Sequence, residues 1–171
     1  MPFRFAATMA LAGAALLASL VSGTAAMAGE PEKVPAAGSD WRVECTNNLK
    51  TLDCRAFLEV VQKNNNQVVT AFTVRYPAET KKPVMMLQLP LGILVSEAVL
   101  VEVDGSQPER SVVQTCTPAG CFVGAAMPDA LLHAMLTGKQ LKIIFYDANK
   151  QRVTVTLPLA GFALAYNKIK G

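Results

Sequence analysis

Aromatic residues make up only 6% of this 171-residue chain, with one tryptophan, and there is a single histidine. That scarcity confines any Ser-His-Asp, Cys-His or histidine-metal arrangement to His133, which sits between Leu132 and Ala134 in a helical pattern. Charge is sparse as well: 17% of residues are Asp, Glu, Lys or Arg, against roughly 25% in an average soluble protein. The 16 basic and 13 acidic residues leave a net charge of +3. So mild and dispersed a balance lacks the basic patch of a nucleic-acid binder. Gly120-Cys121-Phe122-Val123-Gly124 has neither the basic residue nor the helix start of a phosphate loop. No repeat or low-complexity tract is visible.

What is present begins with an uneven distribution of apolar residues. Arg4 precedes an apolar or small run from Phe5 to Val21, and Ala26-Met27-Ala28 follows. Positive start, apolar middle and small-x-small exit predict a secretory signal peptide over 1–28. The rival reading, a membrane anchor, suffers from an Ala-rich run at the short limit for a span. Removing 28 of 171 residues leaves 143, the size of one globular domain. No later segment is apolar enough to span a membrane. Residues 29–39, with two prolines, read as a flexible leader, and 40–171 as the domain.

All four cysteines, Cys45, Cys54, Cys116 and Cys121, fall in that domain. An even count in an exported chain favours structural disulfides, with three connectivities open. The short spacings favour Cys45–Cys54 and Cys116–Cys121, each across a hairpin. Neither spacing is the C-x2-C of a zinc site or a redox motif.

The chain from Trp41 onward reads as strands. Trp41-Arg42-Val43-Glu44-Cys45 alternates, and Phe57–Val61 and Val68–Tyr76 flank an Asn64-Asn65-Asn66 turn. Pro83–Leu89 and Val99–Val103 follow, then Ser111–Thr115 and Cys121–Gly124 around Pro118-Ala119-Gly120. Leu141–Tyr146 and Arg152–Leu157 pair across Asp147-Ala148-Asn149. Between Pro128 and Gly138, Leu131, Leu132, Met135 and Leu136 recur at helical spacing. Gly161–Ile169 is a short helix or a last strand. The expectation is an all-β fold: an antiparallel β-sandwich of about eight strands with one short internal helix.

No catalytic, cofactor-binding or metal-ligating set emerges. Glu44, Asp53, Glu59, Glu97, Glu102 and Asp104 are the carboxylates from which a glycosidase pair would have to be drawn. Most occupy alternating strand or turn positions typical of a solvated face. Trp41 is expected to anchor the core against a disulfide. Met85-Met86 reads as one core and one exposed methionine. Lys81-Lys82 reads as a solvated turn with the capacity for an anionic contact.

Four motifs in order carry a family resemblance. They are Asp40-Trp41-Arg42-Val43-Glu44-Cys45 with Cys54; Leu89-Pro90-Leu91-Gly92-Ile93 followed by Val101-Glu102-Val103-Asp104-Gly105; Cys116 with Gly120-Cys121; and Leu157-Pro158-Leu159-Ala160-Gly161-Phe162. From about Asp40 to Lys168 the chain resembles the bacterial invasion-associated locus B family. The resemblance implies a small non-enzymatic envelope or secreted protein, periplasmic or extracellular with outer-membrane association left open. It implies no cofactor and no nucleic acid. Its partner would be a protein of the envelope or of a host cell, in some pathogens during host-cell entry. The alternative is a periplasmic small-molecule or glycan binding module that uses an apolar interior.

Overall fold

The computed structural model describes residues 33–35, 41–47, 52–64 and 68–171. The expected signal peptide, most of the leader and the middle of the asparagine turn lie outside the described residues. Two sheets face one another. The first orders β2 (Arg42–Asn47), β3 (Leu52–Val61), β4 (Val68–Arg75), β5 (Val84–Leu89), β9 (Gly120–Ala126) and β8 (Thr115–Thr117). The second orders β1 (Lys33–Pro35), β11 (Arg152–Pro158), β10 (Gln140–Tyr146), β6 (Val99–Val103) and β7 (Glu109–Ser111). Every described pairing is antiparallel except β1 with β11. The architecture is the all-β sandwich expected from the alternation and turn spacing.

Among the described residues the strand count rises from about eight to eleven because β1, β7 and β8 are three residues each. Runs that short complete barely one period of alternation. Lys33–Pro35, inside the segment expected as leader, supplies one of them. Ser111–Thr115, expected as one strand, is divided between the sheets. Ser111 pairs with Val99 in the second sheet and Thr115 with Phe122 in the first. Val112, 68% exposed, lies on the crossing between them.

Period-two alternation puts one face of each sheet inward. Leu58, Phe72, Leu87 and Leu89 meet Val101, Leu141, Ile143, Val155 and Leu157, all fully buried. Each such side chain contributes about 1.5–3 kcal/mol of burial. The expected helix forms as α1 (Asp129–Thr137), entered from Pro128 and closed by Gly138, whose N–H donates to the Ala134 carbonyl at 2.7 Å. The tail adds a second helix, α2 (Phe162–Lys170). Phe162, Ala165, Tyr166 and Ile169 form its buried stripe at i, i+3, i+4 and i+7.

Trp41 joins α2 to the sandwich. Its indole N–H donates to the Pro158 carbonyl at 3.0 Å, and its ring lies 4.7 Å from Phe162 and 6.2 Å from Phe72. It is a core anchor as expected, but its ring packs on these two aromatic rings rather than on a disulfide. Cys45 is four strand residues further on, roughly 13 Å at 3.3 Å per residue, near the outer end of the hairpin. Met85 is 2% exposed and Met86 39%, the division expected for that pair.

The structure bonds Cys45 to Cys54 and Cys116 to Cys121. Each pair is directly opposed across an antiparallel ladder, with Cα atoms 4.0 Å apart. Gly120, beside the second bridge, has φ +140°, and a Cβ there would lie 2.5 Å from the Leu89 carbonyl oxygen. Only glycine fits that turn.

Candidate functional site

The organised polar surface of the molecule is the outer face of the six-stranded sheet. Because side chains alternate, placing Cys54, Ala56 and Leu58 inward turns Asp53, Arg55, Phe57 and Glu59 outward on β3. Arg42 and Glu44 on β2, and Thr73 and Arg75 on β4, share this face through the registers Arg42↔Phe57, Glu44↔Arg55 and Phe57↔Thr73.

Three arginine–carboxylate pairs cross the strands. Arg55 donates to Glu44 Oε2 from Nη2 at 2.6 Å and from Nε at 3.2 Å. Arg42 pairs diagonally with Glu59, and Arg75 with Asp53. The arginines remain about half exposed, so each pair contributes on the order of 0–1 kcal/mol and acts chiefly to hold geometry.

Phe57 is the unexpected member. It points away from the core yet is only 4% exposed. The Arg42 and Arg55 guanidinium carbons lie 4.6 and 5.0 Å from its ring centroid and cover it. Beside this clamp runs a shallow groove of about 320 Å³, lined by Thr46, Asp53, Arg55, Thr73, Arg75 and the exposed Met86. Arg55 and Arg75 are directly opposed in register there. Like charges opposite one another repel, and Glu44 and Asp53 compensate each of them.

The candidate carboxylates are dispersed. Glu44, Asp53 and Glu59 belong to these arginine pairs. Glu102 accepts from Lys142 Nζ at 3.1 Å on the other sheet. Asp104 accepts the Lys139 and Gln140 backbone N–H groups at 2.7 and 3.0 Å, a structural clamp. Glu97 is exposed ahead of β6. His133 is exposed on α1, and its backbone carbonyl accepts the Thr137 hydroxyl. Among the described residues no group of three His, Cys, Asp or Glu side chains is placed to hold a metal ion. No described helix is long and apolar enough to cross a membrane. The resolved shift in acidity belongs to Tyr166, whose phenol burial pushes above its ordinary value, with Tyr76 and Asp129 adding to the effect.

The arginines and Phe57 were not singled out from the sequence. Their signal was there as alternation, Arg42-x-Glu44 opposite Asp53-x-Arg55-x-Phe57-x-Glu59. Reading it required the pairing register, which only the folded hairpin supplies.

Fold and surface together define a disulfide-stapled β-sandwich whose polar side chains are organised across a sheet face. The chain belongs to the invasion associated locus B (IalB) protein family, whose profile matches residues 41–170. It is 41% identical over 87 residues to "Invasion protein B" of Bartonella bacilliformis, covering 48% of this chain and 47% of that protein. The match thus spans about half the length of that relative. The crystal structure of invasion associated protein B from Bartonella henselae superposes with a TM-score of 0.67 at 27% identity, covering 80% of this chain and 94% of that one. These proteins are named for invasion rather than for a catalysed reaction.

Proposed function

We propose that this chain works outside the cytoplasm, in the periplasm or after secretion, as a non-enzymatic module that binds a protein partner through the outer face of its six-stranded sheet. The observation that carries this reading is the Arg42–Phe57–Arg55 clamp with its three cross-strand ion pairs and exposed Met86. Arginine, aromatic and methionine side chains are the types enriched in protein interfaces. Pre-ordered arginines also lose less freedom on docking than loose ones. Export is supported by the signal-like N-terminus and by the paired cysteines. Host-cell entry, the process in its relatives' names, is the first setting in which to seek the partner.

The alternative module would need an apolar interior open to a ligand. The space between the sheets is instead filled by Phe72, Phe162, Leu87, Leu141 and Leu157.

Crosslinking from intact cells, with and without host cells, tests the proposal. Arg55→Glu with Arg75→Glu should abolish the crosslinked partner, while Lys139→Gln on the other sheet's side should leave it. Fractionation of the protein to the cytoplasm with free thiols would overturn the extracytoplasmic reading. Retention of the partner by the doubly reversed variant would overturn the assigned face.

A further inference from the structure

A second surface lies where the C-terminal half of α2 passes the β2–β3 hairpin, and its chemistry differs from that of the sheet face. An open cavity of about 450 Å³ there is rimmed by Lys81, Lys168, Lys170 and the exposed Leu52 over a floor that includes Tyr76 and Ile169. No acidic side chain lines it. None of the three lysines takes part in an ion pair among the described residues. Acidic side chains line the adjoining groove instead: Glu79, and Asp53, which Arg75 already engages.

Lys168 also lines a neighbouring groove with Trp41, Val43 and Leu164. Leu164 and Lys168 are one helical turn apart on the outward side of α2, because Phe162, Ala165, Tyr166 and Ile169 are committed to the core. Leu164 is 72% exposed, the highest among the described large apolar side chains, and Leu52 across the lysines is 65% exposed. The surface therefore presents two separated leucines with free ammonium groups between and beside them.

We infer that this surface docks on an anionic lipid bilayer. A lipid interface takes up separated apolar side chains and lysines together, the leucines into the acyl boundary and the ammonium groups among acidic headgroups. A compact ligand would require those groups to converge, and Leu52 and Leu164 instead stand over different grooves. Each lysine near an anionic surface strengthens binding about fivefold, so the three give a weak, reversible, salt-sensitive attachment.

The test uses the protein as its producing cells process it and sediments it with vesicles. Vesicles of phosphatidylcholine with one-third phosphatidylglycerol should bind it at low salt, phosphatidylcholine alone should not, and high salt should release it. Lys168→Gln with Lys170→Gln should weaken binding about 25-fold, whereas Lys139→Gln with Arg110→Gln should leave it unchanged. The lone Trp41 lines the Leu164 groove, so phosphatidylglycerol with brominated acyl chains should quench its fluorescence. Equal binding to both vesicle types, or no loss in the Lys168/Lys170 variant at unchanged thermal stability, would overturn the proposal. Saturation by short-chain phosphatidylglycerol monomers as tight as by vesicles would overturn the bilayer in favour of a headgroup pocket. Binding to polyglutamate but not to vesicles would overturn it in favour of an acidic protein.

Discussion

Removing the two disulfides one at a time gives a quantitative test of the fold. Both bridges join directly opposed residues of an antiparallel pair, but they close loops of different length, with sequence separations of 9 and 5. In the chain-entropy treatment, the closed loop adds about 2.6 kcal/mol for Cys45–Cys54 and about 2.1 kcal/mol for Cys116–Cys121. Cys45 is exposed and Cys54 half-buried, so Cys45→Ser with Cys54→Ala carries little beyond the loop contribution. Cys121 is 2% exposed and packs in the core. Cys116→Ser with Cys121→Ala therefore adds a cavity cost of about 1 kcal/mol for the lost sulfur, raising its loss to about 3.1 kcal/mol and reversing the order that loop length alone would give. The bridges join strand pairs at opposite edges of one sheet, so their effects should add to within about 0.5 kcal/mol. Urea unfolding followed by the fluorescence of Trp41, buried against Phe72 and Phe162, measures each variant. A loss under about 1 kcal/mol for Cys45–Cys54, or strong non-additivity, would refute independent staples on a two-state domain.

Gly138→Ala places a Cβ 2.4 Å from Val103 Cγ1 and 2.7 Å from the Ala134 carbonyl oxygen; thermal melting should show a loss of about 1–3 kcal/mol. Phe57→Ala removes the ring that Arg42 and Arg55 cover, and should cost about 2 kcal/mol in urea unfolding, below the 3–5 kcal/mol of a fully core phenylalanine. Arg55→Glu sets a carboxylate among Glu44, Asp53 and Glu59, so its melting temperature should fall at low ionic strength and recover in part with added salt. Tyr166 holds its proton more tightly folded than unfolded, so its contribution to stability is fully present below about pH 10 and lost as pH rises through its raised folded value. Denaturation in alkaline buffers should show that decline, and Tyr166→Phe should flatten it.

The long elements were legible because each completes several periods. Val99, Val101 and Val103 alternate inward, and Leu131 and Met135 repeat at helical spacing between proline and glycine. The two-sheet assignment was not legible at Ser111–Thr115, where β-prone residues continue while the chain changes partners. Nothing in a run of side chains records which sheet receives it. The tail left helix and strand open because Phe162, Ala165, Tyr166 and Ile169 become one stripe only at 3.6 residues per turn, and few turns were available to show it. The outward clamp was hidden for a different reason. A phenylalanine between Ala56 and Leu58 reads as core, and only the register with Arg42 reveals arginines roofing it on the solvent side.

Both bridges sit at a margin of the six-stranded sheet, tying β2 to β3 and β8 to β9. Marginal strands are ordinarily the first to peel away, and a peeled strand invites pairing with another molecule. Here neither can depart without breaking a covalent bond. The β2 amide hydrogens that bond to β3 should consequently exchange nearly as slowly as those of the interior, and the sheet should resist strand exchange even in crowded surroundings. The two covalent ties thus act as a barrier between the domain and its own copies.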